Sequence, residues 1–358
     1  MVNVEVNVKQ KSLFRNYKMI RSVQLNINYS NTFKLTQLNV FCEEAQQVIN
    51  KYIDELWKIE DFSSTFVKIK VETWLSARMQ QCLGKQALEI VKSQRQKEKK
   101  TKPKFNRKTF NLDSRFVKIE QDVNSFDIWV TLTCLGNKLK LILPSKKHKQ
   151  FNKFITWTLK KSIRLRCNGT KHYIDVYFEK EAPVKKEKGK VVGLDSGYKK
   201  LLASSEGETY GEGLEELYKK ISRKKQGSKG FKRALKERDN KVNGIVKQFP
   251  IDQYKEIVVE DLKNVKKKTK GKLRKQFINK LQRWTYPNVL NRLSYRAEEQ
   301  GIIFKKVPPA YTSQKCSKCG VVCKENRKGE TYKCACGLEM DADINASINI
   351  LHLGVYSP

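Results

Sequence analysis

Hydrophobic positions change their period twice along this chain. From Tyr17 to Tyr29, YKMIRSVQLNINY partly alternates apolar and polar residues and predicts a strand. Between 34 and 60 the apolar residues Leu38, Phe41, Ala45, Val48, Ile49, Ile53 and Leu56 recur every three or four positions, the spacing of one amphipathic helix or two. A second helical stretch is predicted over 66–97, and the charge run 92–109, broken by Pro103, reads as a loop or extended arm. The short period then returns in FVKIEQD, FDIWVTLTC, KLKLILP, SIRLRCNG and HYIDVYFEK. These short strands, separated by turn residues, predict an antiparallel barrel or sandwich over roughly 110–180, joined by the first strand.

After the linker EAPVKKEKGK at 181–190 the pattern changes again. VVGLDSG reads as a buried-type strand, followed by LLASSEG; EIVVEDL is another apolar strand ending in acids, and IIFKKV a further strand. Between them lie a basic helical segment over 214–248, interrupted at Gly227 and Gly230, and an amphipathic helix over 280–300 with Leu281, Trp284, Leu290, Leu293 and Tyr295 as apolar positions. DADINASINIL reads as a helix start. The alternation of strands and helices predicts an α/β domain, and the N-terminal half a separate mixed domain.

Composition narrows the partner. The 358 residues carry 74 Lys and Arg against 37 Asp and Glu, a formal net charge of +37. That excess repels itself unless a polyanion neutralises it, which points to nucleic acid. An anionic membrane would favour one polybasic segment beside an anchor, whereas here basic residues recur along the whole chain. No apolar run approaches the roughly 20 residues of a spanning helix, and the N-terminus MVNVEVNVKQKSLF has no apolar segment of a secretory signal. A cytoplasmic setting is expected, with no membrane partner.

Of nine cysteines, Cys42, Cys82, Cys134 and Cys167 are scattered and read as small buried apolar side chains. The other five crowd into 316–336. Cys316 and Cys319 form C-x2-C, 14 residues follow, and Cys334 and Cys336 form C-x-C. Four thiolates suit a tetrahedral structural Zn²⁺ in a reducing compartment, and Gly320 and Gly337 permit tight knuckles after each pair. Cys323 reads as a bystander.

Three acids close apolar segments: Asp195 in VVGLDSG, Glu260 in EIVVEDL and Asp343 in DADINAS. Singly, each is an ordinary turn, strand-end or helix-cap residue. Converging carboxylates repel one another and favour hard cations such as Mg²⁺. Two such ions about 3.5–4 Å apart can activate a water and stabilise the leaving oxygen of a phosphodiester.

In this order, GLDSG, IVVEDL, PAYTSQKCSKCG…YKCACG and DADINASINI closely resemble the transposon-encoded TnpB nucleases and their relatives, the type V CRISPR effectors. The resemblance covers roughly residues 190–352; the N-terminal half is similar in outline only. It implies an RNase H-like RuvC core over 184–310 and 341–358 with a zinc ribbon inserted at 311–340. It also implies a β-barrel wedge domain over 1–32 and 110–183 with a helical recognition insertion at 33–109. The implied activity is RNA-guided cutting of double-stranded DNA in one RuvC site by two Mg²⁺ (or Mn²⁺) ions, with a guide RNA as partner. Asp195, Glu260 and Asp343 fall on the three catalytic motifs, Asp341 being a secondary choice in the third. Cys316, Cys319, Cys334 and Cys336 fall on the zinc positions. Ser196 stands where relatives often carry an apolar residue. A monomer is the expected state, although the number of copies per guide stays open.

The basic stretches 92–109, 184–190, 218–248 and 263–279 would form the electrostatic channel for such a duplex. Arg223, Arg233, Lys266, Lys267, Arg274 and Trp284 are its candidate contacts, and Phe277 and Tyr286 are further rings able to stack on bases. Core packing competes with stacking for Trp284. Two other readings stand beside the endonuclease: a guided DNA-binding repressor with little or no cleavage, and a zinc-ribbon protein that binds nucleic acid without a guide.

Overall fold

The alternation in KMIRSVQLN forms strand β1, Lys18–Asn26, with Met19, Val23 and Leu25 turned inward. It opens the first of two compact units, divided between Glu181 and Ala182 in a computed structural model that describes residues 17–60, 69–98, 100–262 and 284–356. Helix α1, Thr32–Lys58, starts where the Asn31 side chain accepts from the Lys34 N–H and buries nine side chains along one stripe. Helix α2, Ala77–Arg95, starts under the Ser76 cap. It begins later than the predicted 66–97 because Leu75 is tied in an isolated bridge to Gly136, which holds the preceding residues extended. It also runs into the predicted loop, as does strand β2, Lys108–Leu112.

Six further elements complete this unit: β3 (Val117–Gln121), β4 (Ile128–Leu132), β5 (Leu141–Ser145), a short helix α3 (Lys149–Lys153), β6 (Thr158–Asn168) and β7 (Lys171–Glu181). Their ladders make two antiparallel sheets, β1-β7-β6-β2 and β3-β4-β5. Among the described residues no ladder closes them into a barrel. The turn at Asp113–Phe116 carries the chain from the edge strand of one sheet to the edge strand of the other, and Ser145 Oγ donates to the Asn26 carbonyl at 2.9 Å, linking β5 to β1. Both sheets pack with α1 and α2 around one apolar core. Three scattered cysteines depart from expectation: Cys42 and Cys167 are joined sulfur to sulfur between α1 and β6, and Cys134 is exposed.

The second unit is built on a five-stranded sheet of order β10-β9-β8-β11-β12. Strands β8 (Lys190–Asp195), β11 (Tyr254–Glu260) and β12 (Ile303–Val307) are parallel, while β9 (Leu202–Ser204) and β10 (Thr209–Tyr210) return antiparallel. Helices α4 (Leu214–Ser222), α5 (Lys229–Gln248) and α6 (Tyr286–Glu299) share a core with Val192, Leu194, Ile257 and Val259. The basic helical segment breaks at Gly227, whose φ is +82°, not at Gly230, which lies in the first turn of α5 under the Ser228 cap. Predicted residues 280–283 of the next helix lie outside the described residues, and α6 starts at Tyr286 with Pro287 in its first turn, where proline is favoured.

Helix α7, Ala342–Tyr356, packs with the opposite residues of the same strands, Val191 and Val258 among them. The approach is very close. A Cβ on Gly193 would lie 2.2 Å from the Ser347 carbonyl, and one on Gly354 would lie 2.4 Å from the Val258 side chain. A small three-stranded sheet, β13 (Arg327–Lys328), β14 (Thr331–Lys333) and β15 (Glu339–Asp341), leads directly into α7. Among the described residues no helix is long and apolar enough to cross a membrane.

Candidate active site and metal centre

Strand parity brings the acids together. On β8, Val191 and Gly193 face α7; on β11, Val258 does. Two residues further along, Asp195 and Glu260 point the same way, because side chains alternate with period two. The parallel register pairs Leu194 with Val259, so Asp195 and Glu260 end neighbouring strands side by side. Helix α7 then presents Asp343 in its first turn, where a negative charge suits the helix N-terminus. Asp343 Oδ2 lies 3.5 Å from where a Cβ on Gly197 would sit, just past Asp195.

The cluster is electrostatically unfavourable on its own. Burial first, then the carboxylates of Glu260 and Asp343, push the Asp195 carboxyl up to about 8, against the pull of Arg327 and the Ser196 N–H. Burial also raises Glu260, while the Thr312 hydroxyl, which donates to Glu260 Oε1, and Arg327 oppose that. Arg327 on β13 donates to Asp343 Oδ1 at 2.7 Å. Each of two acids is thus held by its own partner. Among the described residues the three carboxylates do not form a set with ligand atoms all within 4.8 Å; the cysteine quartet does.

Asp341, the secondary choice, is occupied differently. Its Oδ1 accepts from the N–H groups of Asp343 at 2.9 Å and Ile344 at 3.1 Å, the geometry of a helix cap. Lys200 donates to its other oxygen. Burial works against the charged form of Asp341, but Lys200 and the two N–H groups outweigh it and hold its carboxyl below the usual range.

The quartet is compact. Cys316 and Cys336 sulfurs lie 3.6 Å apart, as do Cys319 and Cys334. Zinc–sulfur bonds of about 2.3 Å in a tetrahedron require S···S separations of about 3.8 Å. The two knuckles share one hydrogen-bond scheme despite unequal length. Gly320 N–H donates to the Cys316 carbonyl at 2.9 Å and Gly337 N–H to the Cys334 carbonyl at 3.0 Å; both glycines have positive φ. Burial opposes ionisation of Cys316, yet the N–H groups of Cys319 and Lys318 draw it down to about 7. The N–H of Cys336 pulls Cys334 the same way, but burial and neighbouring sulfurs push it up to about 12. Four thiolates cannot coexist there without a cation, so the donor set fits Zn²⁺. Cys323 lies outside it and donates to Glu325 at 3.2 Å.

Ribbon and acids share one scaffold. On α7, Asn345 donates to the Lys315 carbonyl at 2.8 Å and accepts from the Ser317 N–H at 3.0 Å. One turn on, Asn349 donates to the carbonyls of Thr312 at 3.0 Å and Lys315 at 2.7 Å. Both asparagines are buried. Sequence reading passed over Thr312, Arg327, Asn345 and Asn349. Two asparagines spaced i, i+4 within a largely apolar helix were the available signal, since buried amides demand partners.

Trp284 is half-buried against the α4–α6 core; its indole N–H donates to the Gly197 carbonyl at 2.9 Å, and its ring lies 4.5 Å from that of Tyr286. It therefore supports the turn after Asp195. Arg223 and Arg233 are exposed. Lys266, Lys267, Arg274 and Phe277 lie outside the described residues.

Comparison with known proteins finds relatives named as CRISPR-associated or RNA-guided DNA nucleases. Residues 286–350 match the family described as Cas12f1-like, TNB domain. A CRISPR-associated endodeoxyribonuclease Cas12f1 of Sulfoacidibacillus thermotolerans is 50% identical over 72 residues, 20% of this chain and 17% of that protein. A putative RNA-guided DNA endonuclease, InsQ, of Escherichia coli strain K12 is 28% identical over 230 residues, 54% of this chain and 56% of that protein. A TnpB-like protein of Methanocaldococcus jannaschii is 28% identical over 153 residues, 40% of this chain and 54% of that one. The chain thus spans about half, or less, of these relatives' length. In fold it is similar to Cas12f1 in a cryo-EM complex with sgRNA and target DNA, at TM-score 0.56 and 14% identity over 89% of this chain and 81% of that one. It is also similar to the mini-RNA-guided endonuclease CRISPR-Cas_phi3, at TM-score 0.52 and 11% identity over 95% and 93%.

Proposed function

The chain belongs to the TnpB family, related to the type V CRISPR effectors, and on that premise we propose that it is an RNA-guided DNA endonuclease with a single metal-dependent cutting site. The observation that carries the reading is the convergence of Asp195 and Glu260, on adjacent parallel strand ends, with Asp343 at the N-terminus of α7. The sheet, three antiparallel strands continued by two parallel to its centre, supports an RNase H-like RuvC core. In this reading residues 1–32 and 110–183 act as the wedge, 33–109 as the recognition insertion and 311–340 as the target-nucleic-acid-binding ribbon.

The three carboxylates offer only hard oxygen donors, which suit Mg²⁺ or Mn²⁺. The raised Asp195 carboxyl marks a cluster short of positive charge, which a divalent ion relieves. Bound ions would supply water activation and stabilisation of the leaving oxygen. Asp195, Glu260 and Asp343 hold them; Thr312 and Trp284 fix the Glu260 carboxylate and the turn after Asp195. Arg327, beside Asp343, is placed to meet a substrate phosphate. Cys316, Cys319, Cys334 and Cys336 would hold a structural Zn²⁺, and closing the knuckles would fix the segment that carries both Thr312 and Arg327. Arg223, Arg233, Lys266, Lys267 and Arg274 contribute to a basic track for a guide RNA and a double-stranded DNA target.

Asp195→Ala tests the reading. With guide RNA and Mg²⁺, it should stop DNA cleavage while guided DNA binding, followed by gel shift, stays within about twofold of wild type. A wild-type complex that binds its target but never nicks it would instead leave a guided DNA-binding protein.

A further inference from the structure

One exposed aromatic residue beside the acidic cluster is held in backbone that its side chain disfavours. Tyr311 has φ +65°, a region that crowds any Cβ and that bulky residues seldom enter. Its side chain is 62% exposed, and among the described residues no hydrogen bond or ring contact engages it. Packing does not compensate the strain, and glycine or asparagine would make the same turn more easily. The backbone itself is used: the Tyr311 carbonyl accepts from the N–H groups of Gln314 and Lys315, both at 2.9 Å, and starts the turn into the first knuckle. The next residue, Thr312, is buried and donates to Glu260. On the other side, Pro308 and Pro309 restrict the chain leaving β12. Asn349 clamps the Thr312 carbonyl. A bare ring is therefore displayed one peptide from a residue touching the acids, on a segment stiffened from both ends.

We infer that Tyr311 is a stacking platform for an unpaired nucleobase of the DNA strand delivered to the acidic cluster, and that it sets which phosphodiester lies over Asp195, Glu260 and Asp343. A strand entering a single site must leave its duplex, and its exposed base faces then seek aromatic partners whatever their sequence. A ring on stiff backbone loses little freedom on stacking. This inference rests on the proposed reading of the three acids as the cutting site.

The test uses the full chain carrying Asp195→Ala and single-stranded DNA oligonucleotides with 2-aminopurine at successive positions. Tyr311, Tyr311→Phe and Tyr311→Trp should quench the probe at one narrow position, and Tyr311→Gly and Tyr311→Asn should not. With Asp195 restored, Tyr311→Gly should cut about tenfold more slowly, the scale of one lost base stack, and spread its cuts over neighbouring phosphodiesters. Its zinc content should be unchanged and its melting temperature equal or higher. Quenching that survives Tyr311→Gly would overturn the inference. So would slower cutting accompanied by lost zinc or a lower melting temperature, since the residue would then serve the fold. Cleavage surviving Asp195→Ala would defeat the reading of the acids instead, and the quenching signal, which needs no cleavage, would still report on the ring.

Discussion

The cysteine quartet and the acidic cluster are two candidate metal sites on one scaffold, and they are prepared in opposite ways. The four sulfurs lie within 4.8 Å of one another, closed by glycine knuckles whose backbone N–H groups already point at the ligands' own carbonyls. The acids come from three elements distant in sequence, and Arg327 and Thr312 hold two of them. A structural site gains from being assembled in advance, because metal binding then contributes directly to folding. A working site needs room for substrate, and like charges kept near one another without their ions carry a penalty, visible in Asp195. The coupling between them is one-sided: the ribbon carries both Arg327 and Thr312, so disorder in the ribbon should reach the acids.

Breaking the quartet gives the largest expected effect. Cys334→Ser, or a strong chelator, should release zinc and destabilise the second unit by several kcal/mol, checked by metal analysis and melting temperature. Cleavage should fall with it, whereas Cys323→Ser should leave zinc content unchanged. Next comes Asp343→Asn, which keeps shape and removes charge. Cleavage should fall at least about 10²–10³-fold, the scale of one preorganised charge, with zinc content unaffected. If both variants lost zinc and cleavage together, the two sites would not be separable.

Acidity sharpens the contrast without mutation. Burial and the neighbouring carboxylates of Glu260 and Asp343 push the Asp195 carboxyl up to about 8, above its ordinary value of 3.8. The folded state therefore binds more protons than the unfolded chain between these values, and this group's contribution to stability declines as pH rises through the window. Metal-free wild type should lose melting temperature across it, Asp195→Asn should flatten that slope, and Mg²⁺ should do the same while releasing protons. The smallest effect belongs to Asp341→Asn. Asparagine is also a good cap, so stability should change by less than about 1 kcal/mol, and cleavage should stay within a few-fold of wild type.

Much of this was legible along the chain because local chemistry enforced it. β8 and β11 read as apolar runs since helices cover both faces, and the terminal acid of each run stood out against that background. The ligand set was legible because C-x2-C and C-x-C each form a knuckle within a few residues. Helix limits were less legible. α2 starts at Ala77 because a bridge from Leu75 to a residue 61 positions away holds the chain before it. The split of the N-terminal strands into two sheets was hidden for a similar reason, since alternation reports a buried face but not the neighbouring strand.

The sequence by itself determined which acids and thiols the chain carries, the order of its strands and helices, and an excess of positive charge that demands a polyanion. Period-two alternation even determined that Asp195 and Glu260 share the face of Val191 and Val258. Only the tertiary structure decided that β8 and β11 are neighbours in a register that sets those acids side by side, and that Gly193 lets α7 close on them. It also gave Asp343 and Asp341 different partners, although they lie two residues apart on one segment. A helix turns about 100° per residue, so one carboxylate caps α7 and meets Lys200 while the other meets Arg327 and the cluster. Partners so distant in sequence leave no periodic trace along the chain, which is why Arg327 and Thr312 appeared only in the fold.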